Sequence, residues 1–153
     1  MDIKLNQTFQ MDNLLAMRKR LPPAQWQEHV AKMFAHIESC GAKKMDGGVS
    51  ATYAADADGM DMEMYFPIDR VIPSTEEFIF KPKLRLVNCV KMNYKGNPQG
   101  LQGAMESVNT YMTDNGLTPV AVGFVVTVRE VHDVRDLELF EVDVYVPVNP
   151  NVF

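Results

Sequence analysis

The chain lacks the features of secreted, membrane and disulfide-rich proteins. It has 153 residues and two cysteines, Cys40 and Cys89, whereas a small secreted domain usually carries more cysteines, paired in disulfides. Its first ten residues contain no apolar run of the kind found in a signal peptide. No window approaches the roughly 18 apolar residues of a transmembrane helix. We therefore expect a cytoplasmic protein with reduced thiols and no membrane partner.

An excess of basic residues is also missing. The 15 Lys and Arg residues are outnumbered by 20 Asp and Glu, and the net charge is −5. Proteins that bind nucleic acid usually present a Lys/Arg face to the phosphates, and the most basic run here, Arg18 to Arg20, is typical of solvated charges at a strand end. The composition predicts that nucleic acid is not a partner. It leaves room for a basic protein partner, which an acidic surface attracts.

Motifs for metals, cofactors and covalent catalysis are missing as well. His29 and His36 lie seven positions apart, whereas a metal-binding pair on a helix uses a spacing of three or four. The sequence has no nucleophile elbow, phosphate-binding glycine loop or dinucleotide fingerprint. We expect no metal and no cofactor, assign no catalytic residue, and favour a binding role over an enzymatic one.

What the sequence does contain is a duplication. The stretch "LLAMRKRLPP" (14–23) aligns with "CVKMNYKGNP" (89–98) at an offset of 75. The next segments, "WQEHVAKMFAHIESCG" and "LQGAMESVNTYMTDNG", align at the same offset, and each carries the single apolar stripe of an amphipathic helix. The stretch "MEMYFPI" (62–68) returns 80 positions later as "VDVYVPV" (142–148). These matches predict that the chain consists of two copies of one structural unit.

Each half predicts a strand, a helix and a two-stranded hairpin. Each helix follows a proline and ends at a glycine, Gly41 or Gly116, as helix starts and stops favour. In the second half we expect strands in "VGFVVTVREV" and "LELFEVDVYVPV", and short opening strands in "IKL" and "FIFK". The prediction is one domain, 1–153, with repeat one at about 1–68, a linker at 69–77 and repeat two at about 78–149.

The predicted fold class is α+β. Two strand–helix–hairpin units would share one curved antiparallel sheet and place both helices on one face, because neither unit alone can bury both its sheet and its helix stripe. The other face of the sheet would form a cleft between the repeats. Clefts of this kind are favoured ligand sites.

Strand alternation predicts which side chains face that cleft. In the first copy, Asp61, Glu63 and Tyr65 lie opposite a continuous apolar face, and Glu141, Asp143 and Tyr145 do so in the second. The acidic and aromatic face indicates either a solvated strand surface or a binding surface for a flat polar or cationic molecule. The candidate ligand-binding residues are Glu63, Tyr65, Glu141, Asp143, Tyr145, Tyr53, Phe124 and Tyr94, the last three being equally compatible with the core.

These segments together resemble the GyrI-like effector-binding domain, the ligand-binding module of AraC-type and MerR-type multidrug-sensing regulators. The resemblance covers about 14–148 and is most specific at "NYKGNPQGL" and the final "DVYVPV". It implies an SHS2-type internal duplication about a pseudo-twofold axis, with a cleft for hydrophobic, often cationic aromatic compounds. It also implies a bacterial, standalone member that binds such a small molecule.

The resemblance further implies a glutamate on an inner strand of the second half. The matching stretch, "PVAVGFVVTV" (119–128), has no acidic residue, and Glu130 is the first to follow. Glu63, Glu141 or Asp143 would then take that role. Two alternatives stay open: an immunity- or antitoxin-like module that binds a basic protein, and hydrolysis of a small molecule, as in some standalone relatives.

Overall fold

The computed structural model describes residues 2–131 and 133–151. It has the α+β composition that the sequence predicts, with six strands and two helices. In chain order these elements are β1 (Asp2–Leu21), α1 (Pro23–Ser39), β2 (Val49–Ala55), β3 (Met60–Pro67), β4 (Ile79–Lys95), α2 (Leu101–Asp114), β5 (Phe124–Arg129) and β6 (Glu141–Pro147). No helix among the described residues is long and apolar enough to cross a bilayer.

The chain divides into two compact units. The first unit comprises 10–85, and the second unit comprises 2–9, 86–131 and 133–151 among the described residues. Strands β1 and β4 each contribute residues to both units, because the divisions fall at Phe9/Gln10 and at Arg85/Leu86. Each unit has its own helix and its own antiparallel strand pairs. The repeat bounds read from the sequence stay a prediction.

In the first unit, β3 is the central strand. It pairs antiparallel with β1 from Leu14↔Pro67 to Leu21↔Met60, and with β2 from Val49↔Tyr65 to Ala55↔Met60. The side of β3 that carries Met62, Met64 and Phe66 packs on the core formed by α1 and its neighbours. The apolar face of β3 therefore meets the helix, as strand alternation predicts.

The second unit repeats this arrangement around β6. Strand β6 pairs antiparallel with β4 from Cys89↔Pro147 to Lys95↔Glu141, and with β5 from Phe124↔Tyr145 to Arg129↔Glu141. Its apolar residues pack with the stripe of α2 in one cluster: Val142, Val144, Val146 and Val148 with Ala104, Val108 and Met112. The predicted apolar face of the second copy is thereby confirmed.

Irregular features recur at the offsets read from the sequence. Register shifts occur between Thr52 and Ala54 and between Thr127 and Arg129, and Asn13 and Asn88 have positive φ angles of 54° and 52°. Isolated bridges join Lys44 to Ile68 and Pro119 to Val148. Bulges and left-handed residues are costly local features, so their matched placement supports the predicted duplication.

The helices end where the glycines predict. Helix α1 ends at Ser39 and α2 at Asp114, and Gly41 and Gly116 follow with φ angles of 75° and 67°. These left-handed angles suit glycine, which has no Cβ to collide with the preceding turn.

Four strand predictions are wrong at their ends. The opening strands at 3–5 and 78–81 are not separate, because β1 and β4 continue through them as strands of 20 and 17 residues. Strand β5 begins only at Phe124, and β6 begins at Glu141 after a 3-10 turn at Val134–Leu139. In that turn the Asp133 carboxylate accepts a bond from the Arg135 backbone N–H at 2.9 Å. Such local side-chain bonds compete with strand pairing.

Both cysteines are free thiols. Cys89 is completely buried, and burial raises the pKa of its thiol to about 11. Only the thiolate is reactive, and at this pKa Cys89 remains a protonated thiol at neutral pH. Cys89 therefore acts as a small core residue of β4.

We expect equivalent core residues of the two units to contribute comparably to stability. Met17 and Met92 lie 75 positions apart and are at most 1% exposed. Met17→Ala and Met92→Ala should each lower the free energy of unfolding by about 2–5 kcal/mol, because each leaves a cavity. Chemical denaturation measures this, with Val120→Ala, at a position 62% exposed, as a control expected within about 0.5 kcal/mol of wild type. A value near the control for either methionine would contradict the assigned packing.

Candidate functional site

Glu63 lies at the centre of a polar cluster in the first unit, which we call the tyrosine–carboxylate cluster: Tyr53, Glu63, Tyr65, Arg18 and Lys81. Glu63 and Tyr65 share the face of β3 opposite its apolar residues. Tyr53 is the extra residue of β2 at the register shift between Thr52 and Ala54. A bulge of this kind redirects a side chain, and here the Tyr53 hydroxyl reaches Glu63.

Three donors converge on the Glu63 carboxylate. The Tyr53 hydroxyl donates to Oε1 at 3.2 Å, and the Tyr65 hydroxyl donates to the same oxygen. The Lys81 ammonium donates to Oε2 at 3.4 Å. The Glu63 side chain is only 13% exposed, so these bonds replace much of the water that a carboxylate normally needs.

Cations cover the faces of both tyrosine rings. The Arg18 guanidinium carbon lies 3.8 Å from the Tyr53 ring centroid, and Lys81 Nζ lies 5.4 Å from that of Tyr65. Arg18 also forms a two-pronged ion pair with Asp61, at 3.2 and 3.1 Å. Contacts below about 6 Å between a cation and a ring centroid are attractive by roughly 0.5–2 kcal/mol. The cluster therefore displays aromatic faces that accept positive charge.

The surroundings keep both tyrosines protonated. Burial raises the pKa of the Tyr65 hydroxyl well above its usual value, and the hydrogen bond to and negative charge of Glu63 raise it further. Burial also raises the pKa of Tyr53, with Glu63 acting in the same direction and Arg18 against it. Both hydroxyls consequently remain donors to the carboxylate at neutral pH.

The second unit gathers its carboxylates differently. The Asn93 amide donates to Glu141 Oε2 at 3.0 Å and to Asp143 Oδ1 at 2.9 Å, and Lys91 Nζ lies 3.7 Å from Asp143 Oδ2. These side chains line a polar cavity of about 220 Å³ together with Asp2 and Lys4. Across 2–131 and 133–151, no group of three or more His, Cys, Asp or Glu side chains is arranged to hold a metal ion.

Tyr145 and Phe124 lie near this second cluster. Phe124 pairs directly with Tyr145 in the β5–β6 register, and directly paired residues share a sheet face. The centroid of the Tyr145 ring lies 5.0 Å from the centroid of the Phe9 ring and 5.6 Å from Lys91 Nζ. Both predicted residues are under 8% exposed, so their rings are largely shielded from water.

Tyr94 lies elsewhere. Its ring packs against the core cluster of α2, and its hydroxyl donates to the Asn97 carbonyl at 2.5 Å. A Cβ at Gly100 would collide with that hydroxyl, so the ring fits closely under the start of α2. Of the eight predicted residues, the structure brings Glu63, Tyr65 and Tyr53 together in one group and Glu141 and Asp143 in another, and it separates Tyr94 from both.

The sequence analysis missed the partners on neighbouring strands. The sequence predicts a solvated strand-end charge at Arg18, and the candidate residues do not include Lys81, Asn93, Lys91 and Phe9. Arg18 is the direct register partner of Glu63, and Asn93 that of Asp143. Applying strand alternation to the first strand of each repeat as well as the last would have placed Arg18 and Asn93 on the candidate face.

Comparison with known proteins finds likeness in structure only. The sequence matches no protein-family model and no curated protein. The crystal structure of the EcmrR C-terminal domain is similar with a TM-score of 0.74 at 13% identity, over 97% of this chain and 99% of that one. A hydrolase from Listeria innocua has a TM-score of 0.59 at 13% identity, over 97% and 91% of the two chains. SAV2435 bound to tetraphenylphosphonium has a TM-score of 0.50 at 15% identity, over 95% and 94%.

These similarities establish a shared fold. The chain also matches EcmrR in a DNA complex with a TM-score of 0.73, but it spans little more than half, 57%, of that chain. Because one neighbour was solved with DNA, the expectation that nucleic acid is not a partner stays a prediction. The fold similarity agrees with the expected effector-binding type of fold.

We expect the raised pKa values to be visible in an alkaline titration. Tyrosine ionises near pH 10 in unfolded chains, so Tyr53 and Tyr65 contribute stability that is present below pH 10 and is lost as pH rises toward their folded pKa values. Absorbance at 295 nm should show all five tyrosines of the chain ionising with a midpoint near pH 10 in denaturant, and fewer than five doing so in the native protein. Tyr65→Phe should remove a late step and leave the early part unchanged; loss of an early step instead would contradict the assignment.

Proposed function

We propose that this protein binds a small aromatic molecule, favoured by a positive charge, at the tyrosine–carboxylate cluster. One observation carries the proposal: the largely buried Glu63 carboxylate accepts hydrogen bonds from two tyrosine hydroxyls whose rings already face cations. The same combination of an aromatic face and a partly shielded carboxylate is what a lipophilic organic cation requires.

Arg18 and Lys81 lie where a cationic ligand would contact the two tyrosine rings. The Arg18 side chain is 51% exposed and the Lys81 side chain is 39% exposed. The cationic end of each ion pair therefore already meets water, and the tyrosine hydroxyls still donate to Glu63 when a ligand displaces Lys81. One aromatic ring of the cation would then lie against the Tyr53 or Tyr65 ring, with its positive charge near Glu63.

The tyrosine hydroxyls keep the carboxylate in place during this exchange. Both donate to Glu63 Oε1, whereas Lys81 contacts Oε2. When Lys81 leaves, Oε1 retains its donors and Oε2 becomes available to the ligand. A carboxylate fixed in advance loses little conformational entropy on binding.

The structural neighbours support this chemistry. SAV2435 was solved with tetraphenylphosphonium, which is an aromatic cation. The C-terminal domain of EcmrR has the same fold. We propose by analogy that the present chain is an effector-binding-type protein that sequesters or senses such a compound. The analogy concerns the class of ligand, since sequence identity to each is 15% or less.

The first experiment is calorimetric titration with tetraphenylphosphonium. Glu63→Gln should weaken binding about tenfold, or about 1.4 kcal/mol, because it removes the charge while keeping acceptors for both tyrosines. Glu106→Gln makes the same chemical change at an exposed position of α2 and should leave the affinity unchanged. Equal affinities for wild type and Glu63→Gln would refute the assigned site.

Lys81→Met should strengthen binding of tetraphenylphosphonium several-fold. The substitution removes the internal competitor for Glu63 and the Tyr65 ring and keeps an apolar stem. Weaker binding in this variant would mean that Lys81 helps to form the site, contrary to the exchange proposed. Circular dichroism of each variant checks that the fold is retained.

The two alternative functions remain distinguishable from this one. Hydrolysis, suggested by the Listeria innocua neighbour described as a hydrolase, would convert an aromatic ester during incubation, and the conversion would fall in Glu63→Gln. Recovery of the intact ester supports binding alone. A basic protein partner would bind independently of Lys81→Met, because it would recognise the acidic surface and not the rings.

A further inference from the structure

A second cavity in the structure has no polar cluster and no place in the proposed function. It has a volume of about 290 Å³ and lies within the second unit, between α2, the segment 119–123 and β6. Its lining residues are Met105, Val108, Asn109, Met112, Pro119, Ala121, Val122, Gly123, Val144 and Val146. We propose that this cavity binds an uncharged planar aromatic molecule, independently of the tyrosine–carboxylate cluster.

The cavity has an apolar floor and a partly polar mouth. Val108, Met112, Val144 and Val146 are all buried. Asn109, Pro119 and Ala121 are exposed and surround the opening. A ligand would therefore bury an apolar ring and leave a polar substituent near the Asn109 amide.

The first unit reveals what fills the equivalent space. At the offsets of 75 and 80, Asn109 corresponds to Phe34 and Val146 to Phe66. The rings of Phe34 and Phe66 pack edge to face, with centroids 4.9 Å apart and planes at 77°. The first unit thus closes this position with a pair of aromatic rings, an arrangement that proteins favour.

The surrounding backbone matches in the two units. Gly48 lies under the Phe66 ring, where an added Cβ would come within 3.2 Å of Cε1. Its counterpart Gly123 faces Val144 and Val146, at 3.5 Å from an added Cβ to their methyl groups. The second unit therefore has the same glycine backbone position beside the ring site. It carries Asn109 and Val146 where the first unit has the Phe34 and Phe66 rings.

The lining chemistry selects the ligand. None of the ten lining residues, all within the described part of the chain, is charged, so the site offers no counter-ion to a charged molecule. Met105 and Met112 present flexible thioethers, which make favourable contacts with aromatic rings. A dry apolar cavity of about 150 Å³ takes up benzene, so 290 Å³ has room for one or two fused rings.

The test uses 2-naphthol and the full chain with 13C-labelled methionine methyl groups. Titration should shift the Met105 and Met112 methyl resonances saturably, with a Kd below about 1 mM, and leave Met17 and Met33 of the first unit unchanged. Glu63→Gln should bind 2-naphthol as wild type does, which separates this site from the proposed function. Shifts that do not saturate, or that concentrate on Met17 and Met33, would overturn the proposal.

A cavity-filling variant provides the decisive comparison. Val146→Phe copies the residue of the first unit and should weaken 2-naphthol binding at least tenfold while maintaining or raising Tm. Should this variant fail to fold, Asn109→Phe, at an exposed helix position, decides in its place. Wild-type affinity in the folded variant would show that 2-naphthol binds elsewhere and would refute the assignment.

Discussion

The alternation of side chains along β3 and β6 is the constraint on which the rest of the structure depends. Each strand must present an unbroken apolar row to its helix, because the helix stripe and the strand face form one core in each unit. That requirement fixes the register, since a slip by one residue would turn every side chain to the other face. The opposite face is thereby free to carry residues that the core would not tolerate. Glu63 and Tyr65 in one unit, and Asp143 and Tyr145 in the other, occupy it for this reason.

A carboxylate that is mostly shielded from water has to be compensated, and the two units do this with different donors. In the first unit two phenol groups and an ammonium surround Glu63. In the second unit the Asn93 amide donates to both Glu141 and Asp143, and Lys91 pairs with Asp143. The difference matters chemically. In the first cluster the aromatic rings themselves carry the hydroxyls that donate to the carboxylate, so the rings and the negative charge that attract an organic cation lie together. In the second cluster the hydrogen bonds to both carboxylates come from an amide, and the Tyr145 ring contacts Phe9 and Lys91. This contrast is why the proposed site lies in the first unit, although the predicted residues are divided between both.

The helices, their glycine stops and the face assignment of the last strand in each copy could be predicted from the sequence, because all three depend on periodicity within one segment. What could not be predicted depends on the register between strands. The pairing of Arg18 with Glu63 and the bulge that directs Tyr53 toward the same carboxylate are of this kind. Tyr94 shows that residue type alone misleads. A tyrosine suits the predicted cleft, but the position of Tyr94 on its strand turns its ring toward α2. The predicted ends of strands differ for the same reason: β1 and β4 run through the predicted opening strands, and β6 starts only after the 3-10 turn in which Asp133 accepts from the Arg135 backbone.

The predicted duplication implies that the two units can differ in chemistry only at positions outside their apolar cores. Positions of the helix stripe remain apolar in both, as Met33 and Ile37 are matched by Val108 and Met112. The positions that differ in chemistry lie at the margins of that core: Tyr53 against Val128, Arg18 against Asn93, Phe34 against Asn109 and Phe66 against Val146. Tyr53 and Arg18 give the first unit an aromatic and cationic surface. Asn109 and Val146 leave a cavity in the second unit. The same backbone thus supports a charged, hydrogen-bonded face in one copy and an uncharged cavity in the other. The two features use opposite faces of equivalent strands: the charged face lies on the side of β3 away from the core, and the cavity is lined by the core-facing Val144 and Val146 of β6.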